Sequence, residues 1–275
     1  MAALLALVAA LLWGLGAFLG GQASRRAALI PVLAVELLVG TIVIIPLAFL
    51  TAHRFAWVDL LIGGAAGFFG LLGVTFLYRG LRGPMAAVAP VAGVVSAALP
   101  LLWGVGFGER LSAWQIYGVI LGLMSIVLIS DTGRALHRIS LGPLVNGVLA
   151  GAGFGAGYIV LDATDPLTAP WPILGARLLP ALAVCTVAFA AHQPPSAVGP
   201  ARLWSVGAGI STVLASVAFL AAINRGLLST SSVLSCLHPA VTVLLARLFL
   251  RERMSRSQAT GLTVAVAAIS MITAG

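Results

Sequence analysis

Ten long apolar runs, separated only by short polar or Gly/Pro-containing breaks, constrain the fold of this chain more than any other feature. A helix needs about 20 apolar residues to cross a bilayer, and runs of this kind occupy nearly all of the 275 residues. Hydrophobic residues make up 61% of the chain and charged residues 8%, which leaves too little polar surface for a soluble globule. The sequence therefore predicts an all-α membrane protein with ten transmembrane helices.

An internal duplication organises these runs. The segment from Phe76 to Ile129 is repeated by the segment from Phe219 to Ile272. Each copy contains an Arg-Gly pair, an apolar run with a proline, a Glu-Arg pair and a Ser-x-x-Gln-x-x-Gly motif, which begins at Ser112 and at Ser255. The motifs recur in the same order, which indicates two copies of one structural unit.

The number of helices per copy fixes how the copies are related. Five is odd, so the second copy must enter the membrane from the opposite side, and the two copies are expected to be inverted. We predict one repeat at residues 1–130 and a second at 141–275, with a linker at 131–140. In inverted-repeat transporters the substrate site lies near the bilayer midplane at the repeat interface, and the halves rock around it.

Glu36 and Arg177 are the strongest candidates for such a site. Each lies about eight residues, or roughly 12 Å, into its predicted helix, and the offset that relates them is the one that relates Trp13 to Phe154. A charge at that depth is costly unless it faces protein or water. We predict that the two side chains bind the polar ends of a zwitterionic or anionic solute, or pair with each other. An unpaired Glu36 would favour its protonated form and carry a proton, whereas a paired Glu36 would stay ionised.

Five further residues complete the predicted site. Trp13, Phe154 and Tyr158 would supply apolar contacts to the solute, and Asn224 would supply a polar contact at the end of helix 8. His238 precedes a proline at mid-depth in predicted helix 9 (about Leu228–Leu250), where a titratable ring is a second candidate for proton coupling. A structural histidine whose ring is satisfied by its neighbours explains the same position equally well.

Other classes of function find little support. The net charge of +8 comes from arginines at the ends of apolar runs, which is typical of interfacial anchors rather than of a nucleic-acid surface. A phosphate-binding glycine loop and an HExxH motif are both missing, which excludes ATP-driven and zinc-peptidase functions. Asp162 and Asp165 are the one acidic pair suited to a membrane enzyme acting on a lipid-linked substrate, although such a pair more often marks a solvated helix end.

Cys185 and Cys236 lie within predicted spans and are expected to be core residues. We expect no cofactor, no metal and no nucleic-acid partner.

Several of these motifs resemble a known family. "LLWG" in helix 1, "LHPAVTVLLARLFLRERMS" in helix 9 and its counterpart ending "GERLS" are similar to the two EamA-type repeats of the drug/metabolite transporter superfamily, and the resemblance covers essentially the whole chain. It implies a ten-helix inverted repeat and secondary transport, often export, of small metabolites, amino acids or drugs. The family often has Arg in the second helix of each repeat, a pattern that Arg177 fits and Glu36 does not. A lipid flippase of the same fold is an alternative.

The resemblance also implies a location in the cell membrane with cytoplasmic termini. Most arginines outside the predicted spans follow odd-numbered helices, which by the positive-inside rule would place the termini outside. We adopt the orientation of the family, because duplication in inverted copies weakens the charge bias. The predicted partners are a small solute, the lipid bilayer and protons as the candidate coupling ion, with the protein as a monomer or a homodimer.

Overall fold

The computed structural model describes residues 1–81, 85–129, 141–250 and 255–275, and all regular secondary structure in these ranges is helical. The helices are α1 (Ala2–Ser24), α2 (Leu29–Thr51), α3 (Trp57–Leu81), α4 (Met85–Gly106), α5 (Ala113–Ile129), α6 (Leu141–Asp162), α7 (Trp171–Ala190), α8 (Arg202–Ile223), α9 (Leu228–Ser235), α10 (His238–Leu250) and α11 (Arg256–Ala274). Short 3-10 segments at Pro166–Thr168 and Pro195–Ala201 precede α7 and α8. The predicted linker at 131–140 and the second Glu-Arg pair lie outside the described residues.

The described helices account for a multi-pass membrane protein. Eight segments are long and apolar enough to cross a bilayer: α1, α2, α3, α6, α7, α8 with the 3-10 segment before it, the α9–α10 pair, and α11. Two further apolar helical segments in the described part, Val91–Gly106 of α4 and all of α5, are shorter.

The predicted ninth helix is broken in the middle. α9 ends at Ser235 and α10 begins at His238. Pro239 has no N–H, so it cannot donate to the carbonyl of Ser235 four residues earlier. The Nδ1 atom of His238 lies 3.3 Å from this carbonyl oxygen instead. The ring of His238 therefore lies where the missing N–H of Pro239 would otherwise have bonded.

The two copies interdigitate. The largest interfaces join a helix of one copy to a helix of the other: α1 with α8, α5 with α11, α3 with α6 and α7, and α4 with α6. Helices of the same copy share much smaller interfaces. The predicted repeats are therefore sequence units rather than separately packed bodies, and any group of helices that moves as one must combine helices from both copies.

The α5–α11 pair shows how equivalent helices are related. Gly118, near the start of α5, packs against Ile272 near the end of α11. Its counterpart Gly261, near the start of α11, packs against Ile129 at the end of α5. The start of each helix thus meets the end of the other, so the two equivalent helices run antiparallel with reciprocal contacts.

The duplicated Ser-x-x-Gln-x-x-Gly motif starts these same two helices. Ser112 Oγ accepts a hydrogen bond from the backbone N–H of Gln115 at 3.2 Å, and Gln115 Oε1 accepts one from the N–H of Ser112 at 2.9 Å. Ser255 and Gln258 make the same reciprocal pair at 3.1 and 3.0 Å. These are capping boxes, which satisfy N–H groups that a helix leaves unbonded at its first turn. The motif is therefore structural: the Ser and Gln begin the helix, and the Gly allows it to pack.

Candidate functional site

Glu36 of α2 and Arg177 of α7 come together through a third residue, Thr212 of α8. The Thr212 hydroxyl donates a hydrogen bond to Glu36 Oε1 at 3.1 Å. Arg177 Nη2 donates to the Thr212 carbonyl oxygen and to Ser216 Oγ, both at 2.7 Å. Both charged side chains are among the described residues, and they form no direct ion pair. The two charges that repeat symmetry predicted to meet are thus bridged by one threonine.

Glycines allow the helices to approach closely around this polar cluster of Glu36, Arg177, Thr212 and Ser216. Gly20 of α1 lies beside the Glu36 carboxylate, and Gly40 of α2 lies beside the aliphatic part of Arg177. Gly209 of α8 packs directly against the backbone of Glu36. The cluster therefore lies where α1, α2, α7 and α8 meet, and its charges are compensated mainly by each other and by α8.

An aromatic cluster lies next to the polar one. The ring of Trp13 stacks on Tyr158 with centroids 5.6 Å apart, and it lies 5.4 Å from the ring of Phe219. Tyr158 and Phe219 are 4.7 Å apart, and His238 meets the edge of Trp13 at 6.5 Å. Rings at these distances are in contact, so in this conformation they leave no room for a solute between them.

The two clusters follow one another along one face of α8. Thr212, Ser216 and Phe219 are spaced by four and three residues, which places them on the same helix face. On α1, Trp13 of the aromatic cluster and Gly20 beside Glu36 are seven residues apart, or two helical turns. This face therefore passes from a charged, hydroxyl-rich end to an aromatic end within about two turns of helix.

Two predicted site residues lie elsewhere. The Phe154 ring packs against α3 at Gly73 and not in the aromatic cluster. Asn224 follows the last residue of α8, eight residues beyond Ser216, or about 12 Å along the helix axis. Of the other predicted site residues, Trp13, Tyr158 and His238 lie in the aromatic cluster, and Glu36 and Arg177 lie in the polar cluster.

The short helix α9 is a second polar element, which no motif in the sequence marks. All eight of its residues are buried, and five are Ser or Thr. Glu109, from the loop between α4 and α5, accepts hydrogen bonds from the N–H of Leu228 at 2.6 Å, from the N–H of Ser229 at 3.0 Å and from the Ser229 hydroxyl. The acid of the first Glu-Arg pair thus caps a helix of the other copy.

The predicted acidic pair of the α6–α7 loop has a structural role. Asp165 accepts a hydrogen bond from the N–H of Leu167 at 2.9 Å and lies 3.9 Å from Arg54 of the α2–α3 loop. Thr168 in the same loop donates to the buried carboxylate of Asp59 in α3 at 2.7 Å. Asp162 is exposed at the end of α6. These contacts fasten a loop of one copy to a loop and helix of the other.

Neither a metal centre nor a disulfide occurs in the described part of the chain. No group of three or more His, Cys, Asp or Glu side chains there is arranged to hold a metal ion. Cys185 and Cys236 are both free thiols, and Cys236 lies buried 3.5 Å from Ser96 Oγ.

Comparison with known proteins agrees with the family resemblance of the sequence motifs. The model of the EamA-like transporter family matches residues 1–131 and 142–274. No curated protein matches the sequence. Among solved structures, 28 chains are similar to this one. One of them, described only as the crystal structure of a protein, superposes with a TM-score of 0.77 at 21% identity over 99% of this chain and 96% of that chain. At this identity the likeness establishes the fold alone.

Proposed function

We propose, since this chain belongs to the EamA-like transporter family, that it exports a small polar solute from the cell by alternating access. The family is one of membrane transporters of small solutes and is not enzymatic. In this proposal ten helices form two inverted five-helix repeats, which the reciprocal α5–α11 contacts support. The observation that carries the proposal is the face of α8, with α1 beside it, on which the polar cluster adjoins the aromatic one.

The chemistry of the polar and aromatic clusters suggests the class of solute. A carboxylate and a guanidinium held by one threonine can each bind the opposite charge of a zwitterion, and Ser216 adds a hydroxyl. Trp13 and Tyr158 would contact an apolar part of the same molecule. An amino acid or a similar zwitterionic metabolite fits this combination. Glu36 is the proposed proton carrier, because the ring of His238 already serves the carbonyl of Ser235.

Alternating access requires that the site opens to each side of the membrane in turn. The contacts that close it on one side must therefore be able to break. In a ten-helix chain the loops after even-numbered spans lie at one face, and three contacts between copies occur there: Glu109 with α9, Arg54 with Asp165, and Thr168 with Asp59. All three must break for a solute to pass. The break between α9 and α10 supplies a hinge, so α9 would swing as the gate at this face.

Replacing Glu109 by alanine is expected to open this gate. The buried thiol of Cys236 lies at the hinge and reports the opening when Cys185 is replaced by serine. A membrane-impermeant maleimide should label Cys236 slowly in the parent and at least about tenfold faster in Glu109→Ala, since three hydrogen bonds worth roughly 1 kcal/mol each are lost. Arg110→Ala, an exposed neighbour in the same loop, is the control and should label like the parent. Equal labelling of the Glu109 variant and the parent would exclude this gate.

The Glu36→Gln variant tests the transport function itself. Metabolite profiles of cells and medium should show a solute that is enriched in the medium by the parent and not by Glu36→Gln, provided that both proteins reach the membrane in equal amounts. Asp162→Asn makes the same acid-to-amide change at an exposed helix end and should export like the parent. Export lost in Asp162→Asn and kept in Glu36→Gln would overturn the proposal.

A further inference from the structure

A lateral groove lies on the outer side of α2 and α8. Its volume is about 490 Å³, and its third wall is the 3-10 segment Pro195–Ala201. Val35, Leu38 and Val39 of α2 and Val206 of α8 make it largely apolar, and Arg202 lies at its polar end. A groove of this size is within the range of small-molecule sites.

The depth of the groove corresponds to one lipid leaflet. α2 begins at Leu29, and Val39 lies ten residues further, about 15 Å along the helix. Half of the hydrocarbon core of a bilayer is also about 15 Å. Arg202 begins α8 and therefore lies at the membrane surface on the same side. The groove thus extends from the surface to about the midplane.

The polar end of the groove carries an uncompensated positive charge. Arg202 is exposed, and its guanidinium has no hydrogen-bond or ion-pair partner among the described residues. The groove lining contains no acidic residue. Next to it, Arg26 lies 4.8 Å above the ring of Trp204 and donates to the carbonyl of Gln22 at 2.6 Å. Arg and Trp together are typical of the interfacial belt of a membrane protein, and a free guanidinium there suits a phosphate.

We propose that this groove is a binding site for an anionic phospholipid, with one acyl chain along α2 and the phosphate on Arg202. The lipid is resident and is not the transported solute. Gly209 of α8 packs against the backbone of Glu36, so a direct helix contact separates the groove from the polar cluster. A lipid in the groove would stabilise the packing of α2 against α8 near the hydrogen bond between Thr212 and Glu36.

Lipid retention by the purified protein tests this site without any transport assay. Native mass spectrometry after incubation with phosphatidylglycerol or phosphatidylcholine should show retention of phosphatidylglycerol by the parent. Arg202→Gln should reduce that retention about fivefold, the effect of one basic residue at an anionic lipid surface, and Val206→Trp should reduce it by filling the groove. Arg256→Gln is the matched control, because Arg256 also begins a helix and is exposed at the same face. Equal retention by Arg202→Gln and Arg256→Gln, or equal retention of both lipids by the parent, would overturn the assignment.

A second measurement separates a resident lipid from a transported one. Proteoliposomes with fluorescent phosphatidylglycerol should show no faster transbilayer movement than protein-free vesicles. Movement that depends on both Arg202 and Glu36 would make the lipid the cargo and would contradict a resident role. Loss of solute export in Glu36→Gln with unchanged lipid retention would leave the groove assignment standing, because the two sites are tested independently.

Discussion

Replacing Arg177 by glutamine is expected to abolish solute transport and to lower the free energy of unfolding by about 3 kcal/mol. The change removes the donor to the Thr212 carbonyl and to Ser216 Oγ. It also leaves the Glu36 carboxylate at mid-membrane without the positive charge that acts on it. An uncompensated buried charge is among the most destabilising features that one substitution can create. Thermal unfolding in detergent and export from expressing cells measure the two effects.

The double variant Glu36→Gln/Arg177→Gln shows whether the two residues act together. Removing the carboxylate as well should restore part of the lost stability, so the double variant should be more stable than Arg177→Gln alone while remaining inactive. The deviation from additivity measures the coupling through Thr212. Arg54→Gln is the control: Arg54 is exposed and lies 3.9 Å from Asp165, and its loss should cost less than about 1 kcal/mol. Additive effects of Glu36→Gln and Arg177→Gln would mean that the bridged arrangement has no energetic consequence.

The proximity of Glu36 and Arg177 was predictable because it depends only on depth and on repeat symmetry. Both follow from counting residues along the chain. The bridge through Thr212 was not predictable, since a hydroxyl on a helix usually bonds its own backbone, and the rotation of α8 about its axis is set by packing. The spacing of Thr212 and Ser216 marks a shared face but does not say what the face contacts.

Phe154 lies apart from the ring of its counterpart Trp13, for an identifiable reason. Trp13 finds an aromatic partner in Phe219 of α8. In α3, the helix equivalent to α8, the residue that meets Phe154 is Gly73. Phe154 therefore packs onto a glycine rather than onto a ring. The backbone arrangement is duplicated while the side chains that fill it have diverged, so a cluster present in one copy does not predict one in the other.

The motifs that recur in both copies are visible in the sequence, but their roles follow from the sequence only where their contacts are local. The Ser-x-x-Gln-x-x-Gly motif is local, so helix capping explains its first half from the sequence alone. The role of Glu109 depends on α9, which begins 119 residues later in the other copy. Only the interdigitated packing brings them together, and nothing in the local sequence specifies that partner.

Replacing Gly175 by alanine is expected to have a large effect on folding, although the same change in an open helix is favourable. A Cβ atom on Gly175 of α7 would overlap the carbonyl oxygen of Leu60 in α3, and a backbone atom cannot move aside as a flexible side chain can. The two helices would have to separate at an interface that joins the copies. Overpacking of this kind costs about 3 kcal/mol or more. Arg177 follows two residues later, so the polar cluster would be displaced and transport lost with stability.

Gly70→Ala on α3 is the matched control for this prediction. Apart from its chain neighbours and the backbone of its own helix, no atom lies within 4 Å of the Cβ position at Gly70. Alanine should therefore be tolerated there and should change the unfolding free energy by no more than about 1 kcal/mol, in the stabilising direction. Detergent-solubilised yield and thermal unfolding distinguish the two variants. Equal stability of Gly175→Ala and Gly70→Ala would show that the α3 and α7 backbones are not in direct contact. The orientation of Arg177 toward α8 would then need a different explanation, because the contact between Gly175 and Leu60 fixes the rotation of α7 about its axis.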